Sequence, residues 1–531
     1  MQNVDLIVRT LEAAGVRWAF GVPSGPVLPL IEAMRSSGVQ YTLTASETSA
    51  GFMAQTVGAL TGVPGVCVST LGPGATNMAT GVGAAWLDRT PLIAITCNVE
   101  TPWLERRIQM RIDHEALFRP LTKASFGLRA DRVAEPLAEA LRLACAEPPG
   151  PVHLDLPEDV GLARATAEPP QIKLNHTLAT VPSGTFDLVG RAFAESRRPL
   201  LVVGLEIARA RHARRLLDLV ERQGIPFVLT LHAKGFLPES HPNYAGVLGR
   251  ARRSDVQAFI RKADLILGVG YDPIEINYEE WAGDTPIAHI GSEVAEDGKG
   301  LRLVVNAGGD LDDAIESLAG LAPHSHDWTT DEIAAHREKL DRALRPSGCG
   351  FAPYHVLDIV RQNLSADAIL AYDVGAHTHQ IATQWRTDAP NTCISTNGWS
   401  SMGYGIPSAY AAKLVHPDRT VVGVVGDGCF QMTVGELAVG RRLGLAVPII
   451  VLNDGWLSLL RVKQEHRDYA YSGVYLGEPP PSPEHYFGVP CRGAHTEDEF
   501  ADALNWALRL GGPSVVEAFV DPASYSLTVY D

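Results

Sequence analysis

The chain has 531 residues, 46% hydrophobic and 20% charged, which is the composition of a globular α/β protein and a length that needs about two to four separate cores. Its formal net charge of −16 argues against nucleic acid or an anionic membrane as partner, while leaving room for an acidic small molecule in a locally positive pocket. The seven cysteines are scattered without a Cys-x-x-Cys pair, no secretory pattern precedes the first helix, and no apolar run reaches the roughly 20 residues of a spanning helix, so a reduced cytoplasmic protein is expected.

Strand-like runs at 18–21, 41–44, 66–69 and 91–96 alternate with helical patterns, and 150–157 reads as a closing strand and exit. This predicts a doubly wound parallel sheet in a first domain, 1–165. A linker rich in Pro, Thr and Ala follows over 165–184. A second domain, 185–340, has strand signals at 200–203, 227–229 and 265–269, and a charged helix closes it. Gly204-Leu205-Glu206 after Val203 does not spell a dinucleotide fingerprint.

A third domain, 350–531, holds the most informative unit. A buried-strand run, 421–425, leads into Gly426-Asp427-Gly428, and a second, 447–452, leads into Asn453-Asp454-Gly455. Between them Thr433-Val434-Gly435-Glu436 spells a capping box, opening a helix that stops at Gly444. This is a βαβ unit, whose right-handed crossover brings both strand ends to one edge of the sheet. Asp427 and Asp454 can therefore converge on one hard cation, and a helix N-terminus after Asp427 offers N–H groups to phosphate. The pairing suggests a metal-bridged diphosphate. A Gly-Asp-Gly triplet alone is more often an ordinary turn; strand, helix, strand and second acidic turn in order argue against that reading here.

A Gly-Asp-Gly triplet followed 27 positions on (427 to 454) by an Asn-Asp pair resembles the thiamin diphosphate signature. The resemblance runs over nearly the whole chain, which is similar to the superfamily of 2-oxo acid decarboxylases and acetohydroxyacid synthases. It implies three doubly wound parallel-sheet α/β domains, pyrimidine-binding, central and diphosphate-binding in turn. It also implies thiamin diphosphate with Mg²⁺ held by Asp427, Asp454 and the carbonyl of Trp456. Gly426, Gly428 and Cys429 would lie against the cofactor, with His377 near its diphosphate. Ser400-Ser401-Met402-Gly403 resembles the segment that bends the cofactor. Met402 would be the wedge between its rings, and the Ser400 carbonyl would take the pyrimidine amino group. Gly72-Pro73-Gly74-Ala75-Thr76-Asn77 resembles the loop beside the reacting carbon, which assigns Gly72 and Asn77 to the cofactor site. Glu47 would hydrogen-bond the aminopyrimidine. It is the only acid in 45–54, among small and apolar neighbours. The plain alternatives are a first-turn acid suited to the helix dipole for Glu47, core filler for Met402 and a satisfied histidine for His377.

The activity implied is decarboxylation of a small 2-oxo acid such as pyruvate, with the resulting enamine passed to a second carbonyl, as an acetolactate synthase does. The alternative is release of an aldehyde, as in benzoylformate decarboxylase, whose relatives carry a histidine where this chain has Thr70. Synthases carry a Phe-Gln pair where this chain has Gln109 and Met110, and a tryptophan near the position of Lys463, which puts the second substrate in question. Arg461 and Lys463 could meet a substrate carboxylate or form a solvated face. FAD is possible but not favoured, since Gly270–Glu275 resembles the flavin-free catabolic synthases. The superfamily builds each site between two chains, so at least a homodimer is expected. A non-catalytic cofactor-binding protein is disfavoured by Glu47, Asp427 and Asp454 standing together.

Overall fold

The computed structural model describes residues 1–174, 178–276, 280–295 and 300–529; the linker expected at 165–184 thus lies partly outside the described residues. Three α/β sheets follow one another along the chain. The first runs Gln40–Leu43, Trp18–Gly21, Gly65–Ser69, Leu92–Asn98, Pro151–Pro157, Ser125–Gly127, all parallel. The third runs Cys393–Ile394, Ile369–Tyr372, Val421–Gly426, Pro448–Asn453, Ser514–Phe519, Val489–Ala494 in parallel, with His485–Tyr486 as an antiparallel edge. Numbered along each domain, the two sheets share one parallel order, second-first-third-fourth-sixth-fifth. The middle sheet differs: Arg302–Gly308, Pro286–Gly291, Leu265–Val269, Pro199–Val203, Phe227–Leu229, Tyr244–Val247. That is the order of a dinucleotide-binding fold, with its switch point between Leu265–Val269 and Pro199–Val203. Leu92–Asn98, Pro199–Val203 and Leu265–Val269 are buried along their whole length, as sheets covered on both faces require.

The first and third domains share a core. Helix Glu47–Thr61 crosses Pro73–Leu87 where a Cβ on Gly51 would lie 2.7 Å from the Gly81 Cα, so two glycines permit the close approach. Helix Gly405–Val415 packs on the same layer; Tyr404, its N-cap, sets its ring edge-on to Phe52 at 5.4 Å and its hydroxyl 3.1 Å from Thr56 Oγ1. Such an aromatic pair adds about 0.5–1.5 kcal/mol beyond its buried area. Among the described residues no helix is long and apolar enough to cross a membrane, and the cysteines are unpaired.

One expected element forms differently. The helix after the Gly-Asp-Gly turn starts at once, as Asp427–Thr433 with Gly426 at its N-cap. It passes through a tight turn, Val434–Glu436, into Leu437–Leu443, which ends at Gly444 with φ 63°. The capping box at Thr433 and Glu436 does not form. Thr433 Oγ1 bonds back to the Cys429 carbonyl at 3.4 Å, and Glu436 reaches the first domain, where its carboxylate accepts the Ala45 N–H. A contact between domains overrides the local pattern.

Candidate functional site

Strands Val421–Gly426 and Pro448–Asn453 pair in parallel with Gly426 opposite Leu452, so the acids that follow leave the same edge of the sheet. Asp427 Oδ1 accepts the Gly428 N–H at 2.7 Å, and its Oδ2 accepts those of Gly455 at 2.7 Å and Asp454 at 3.3 Å. Asp454 Oδ1 accepts from the Trp456 N–H at 2.9 Å, and Oδ2 from Ser458 Oγ at 2.7 Å. Burial raises both carboxyl pKa values, and the charge of Asp427 raises Asp454 further. A divalent cation between them would relieve both effects. Among the described residues no group of three or more His, Cys, Asp or Glu gathers as a metal cluster. Two carboxylates and a carbonyl leave coordination positions for phosphate oxygens, as Mg²⁺ prefers.

The surroundings suit a diphosphate. A Cβ on Gly426 would lie 3.1 Å from the His377 ring, so ring and glycine pack directly. His377 is buried, its Nε2 is enclosed without a partner, and burial lowers its pKa to about 4, which keeps the ring neutral. An anion at the Asp427 helix would supply the missing acceptor. The Cys429 thiol is engaged by the Val374 carbonyl at 3.0 Å, so only its backbone is open to a ligand. At Gly428 a Cβ would come within 2.7 Å of Leu457 Cδ2 and 3.2 Å of Met402 Cε; those two side chains close over the glycine. Ser400 is exposed, with φ 51°, and its hydroxyl donates to the Asn397 carbonyl. Left-handed backbone at a non-glycine costs about 1–2 kcal/mol and marks a segment whose shape is imposed. Asp373, which the sequence did not single out, imposes it: its buried carboxylate accepts from Gly403 N at 2.9 Å and Gly405 N at 2.7 Å.

A second cluster forms on the first sheet. Ser46 caps helix Glu47–Thr61, its hydroxyl accepting from Ser49 N. Glu47, 8% exposed, accepts from Asn77 Nδ2 at 3.2 Å, and its Oε1 lies 3.2 Å from where a Cβ on Gly74 would be. Thr70 is buried beside this loop with its hydroxyl unpartnered. Gly72 has φ 58°, and a Cβ there would stand 2.1 Å from the Met110 carbonyl oxygen, so glycine is required twice over. The Gly72 N–H donates to His114 Nε2 at 3.1 Å, and His114 Nδ1 lies 2.8 Å from Asp155, which also binds Thr96 and Asn98. This chain of bonds fixes the loop and left no local signal in the sequence.

Two basic residues on helix Ser458–Glu465 differ. Arg461 pairs with Glu465 at 2.9 Å and stacks over Trp456 and Tyr471. Lys463 makes no ion pair or hydrogen bond among the described residues.

The switch point of the middle sheet is filled by the protein itself. Glu275 Oε2 accepts the Leu205 N–H at 2.8 Å, and Glu206 accepts the Ser292 N–H and hydroxyl at 2.7 Å each. A Cβ on Gly204 would lie 2.3 Å from the Tyr271 Cα. Two acidic side chains thus hold the Leu205 and Ser292 N–H groups at the carboxyl edge of this sheet. An FAD diphosphate here would have to displace both side chains from these donors. A cavity of about 730 Å³ adjoins this crevice, lined by Gln55, Arg89, Glu147, Arg209 and His232 among others, and includes none of the residues around Asp427.

Three segments match protein-family models: residues 1–117 the thiamine pyrophosphate enzyme N-terminal TPP binding domain, 188–318 its central domain and 373–518 its C-terminal TPP binding domain. The chain is 29% identical to the acetolactate synthase isozyme 2 large subunit of Escherichia coli, over 98% of this chain and 96% of that one. It is 32% identical to an acetolactate synthase large subunit of Corynebacterium glutamicum, over 90% and 78%. Against an acetolactate synthase of Mycobacterium bovis the identity is 31%, over 87% and 77%.

Proposed function

The chain belongs to the thiamin diphosphate-dependent acetohydroxyacid synthase superfamily, and on that premise we propose that it is a flavin-independent carboligase. It removes CO₂ from a 2-oxo acid such as pyruvate and joins the remaining fragment to a second carbonyl compound. We take its domain bounds as 1–165, 185–340 and 350–531.

When bound, thiamin diphosphate supplies a nucleophilic carbon and the electron sink for loss of CO₂. The chain supplies placement and protons. Asp427, Asp454 and the Trp456 carbonyl would hold Mg²⁺ and, through it, the diphosphate against Gly426, Gly428, Cys429 and His377 Nε2. Met402 and the Ser400 carbonyl would set the ring geometry, with Asp373 keeping their segment in shape. Glu47 would hold and release a proton at the pyrimidine ring, oriented by Asn77. Gly72 would keep its loop against the reacting centre. The site is read as shared, Glu47 of one chain serving the Asp427 of its partner.

The observation that carries ligation over aldehyde release is Thr70. A cycle that ends in protonation needs a donor tuned near working pH. A buried threonine hydroxyl at that place is not one. The test is to give the holoenzyme pyruvate alone with Mg²⁺ and to quantify acetolactate and acetoin against acetaldehyde. Stoichiometric acetaldehyde without a ligation product would replace this reading with a plain decarboxylase.

A further inference from the structure

Resting on the reading that Ser400 and Met402 shape the bound cofactor, we propose that Asp88 of the first domain is a positioning residue for their segment, which it holds through the backbone of Asn397 and Gly398.

Asp88 is the C-cap of helix Pro73–Leu87. An acid is disfavoured at that place, because the helix dipole already puts negative charge there. The side chain is nonetheless buried, 6% exposed. Four neutral donors hold its carboxylate, three of them on one stretch of the third domain. Oδ1 accepts the Gly398 N–H at 2.7 Å and the Asn397 N–H at 3.2 Å. Oδ2 accepts from Thr396 Oγ1 at 2.7 Å and from Gln55 Nε2 at 2.8 Å. The same helix lets the stretch come close. A Cβ on Gly398 would stand 2.5 Å from Leu87 Cβ, and one on Gly83 would stand 2.7 Å from the Trp399 ring. Asn397 also donates its side-chain amide to the Glu275 carbonyl at 3.1 Å, so the second domain closes on the same residue.

Ser400 follows Gly398 by two residues and Met402 follows it by four. Beyond them, Asp373 accepts the N–H groups of Gly403 and Gly405. The residues between are therefore strung between two buried carboxylates, one from the first domain and one from the third. Ser400, with its left-handed φ of 51°, sits in the middle. Strained backbone of this kind persists only where its surroundings over-determine it. Asp373 fixes one end, and Asp88 is the constraint at the other. Helix Pro73–Leu87 then bears on the proposed site at both ends: Asn77 near its start bonds Glu47, and Asp88 at its close sets the Ser400 segment.

The experiment compares Asp88→Ala, Asp88→Asn and Met402→Ala with the parent. Asparagine at 88 keeps an oxygen for the two backbone N–H groups and can turn its amide to Gln55, whose Oε1 is buried without a partner. In the cofactor-free protein, hydrogen–deuterium exchange read by mass spectrometry over 396–402 should show protection lost in Asp88→Ala and kept in Asp88→Asn. With Mg²⁺ and thiamin diphosphate bound, exchange of the cofactor C2 hydrogen should slow by about tenfold or more in Asp88→Ala, the cost of a small misplacement of reacting groups. Cofactor affinity by calorimetry should be unchanged, and Asp88→Asn should recover the parent exchange rate. Parent-like protection over 396–402 in Asp88→Ala overturns the inference. Affinity lost in step with the C2 exchange rate makes Asp88 merely structural and also overturns it. If Asp88→Ala does not fold, Asp88→Ser, whose hydroxyl is too short to span both backbone donors, is held to the same outcomes. Met402→Ala separates the inference from the reading beneath it. Slowed C2 exchange in Met402→Ala with a parent rate in Asp88→Ala fells the inference alone. A parent rate in Met402→Ala fells the reading of the segment, and the inference with it.

Discussion

The Glu436 carboxylate accepts the backbone N–H of Ala45, at 3.0 Å to one oxygen and 3.2 Å to the other. Glu436 is 1% exposed and follows the Asp427 helix; Ala45 precedes Glu47 by two residues. One side chain of the third domain thus fixes the start of the helix that presents Glu47. Glu436→Ala removes the acceptor of that N–H, and should destabilise the protein by about 1 kcal/mol or more. Glu436→Gln keeps an oxygen there and should lose less. Urea midpoints of the two variants check this; equal losses would mean that the bond is incidental.

That bond also shows where sequence reading stops. Asp427 and Asp454 were legible because each ends a Val- and Ile-rich run, and parallel pairing then dictates a shared edge. Likewise Gly444 sits in the left-handed cap that its position after a helical run implies. The local Thr-x-x-Glu pattern pointed Glu436 at Thr433, and tertiary contact redirected it. Asp373 and the His114–Asp155 pair were invisible for the same reason: their partners lie tens of residues away or are bare backbone. Strands such as Cys393–Ile394, only 2 residues long, and Arg302–Gly308, which alternates and begins with Arg, carry too little apolar signal to be read.

The two acids at the sheet edge should be unequal. Asp427→Ala removes an oxygen ligand and the acceptor of the Gly428 and Gly455 N–H groups. It should abolish retention of Mg²⁺ and thiamin diphosphate. Asp454→Asn preserves an oxygen and removes the repulsion that raises its pKa, so its effect should be several-fold milder. Calorimetric titration of cofactor with Mg²⁺ measures both. Normal affinity in Asp427→Ala would refute the assignment of the Gly-Asp-Gly turn.

Glu275 should make stability depend on pH. Burial pushes its pKa from 4.5 to about 8, so the folded state binds this proton more tightly than the unfolded state does. The corresponding stability is present in full below about pH 4.5 and is lost as pH rises through about 8. Glu275→Gln keeps the acceptor for the Leu205 N–H and removes the ionisation. Its melting temperature, compared with that of the parent between about pH 5 and pH 8, should fall less steeply. Parallel slopes would show that this carboxyl does not titrate in that range. The as-purified parent should also lack a flavin spectrum, because an FAD diphosphate would have to displace Glu206 and Glu275 from the Ser292 and Leu205 N–H groups.

If each site joins Glu47 of one chain to the Asp427 of another, two dead variants should rescue each other. A hybrid dimer of Glu47→Gln and Asp427→Ala chains has one site with both lesions and one with neither. Mixing the variants under exchange conditions should therefore restore carboligation that neither shows alone. A mixture as inactive as its parts, with hybrids demonstrated by mass, would place both groups in one chain's site.

Glu47 itself should separate binding from chemistry. Its carboxylate sits at the first position of its helix, shielded from water and held by Asn77 at 3.2 Å. Glutamine at 47 preserves shape and can still bond Asn77, so the loop from Gly72 to Asn77 should keep its place and the cofactor should bind. What glutamine cannot do is take and return a proton at the pyrimidine ring. Exchange of the cofactor C2 hydrogen for deuterium, followed by NMR on the bound complex, isolates that step from everything downstream. It should slow by about 10²-fold or more in Glu47→Gln, the usual scale for loss of a positioned acid–base group. A rate equal to that of the parent would reduce Glu47 to a helix-start residue.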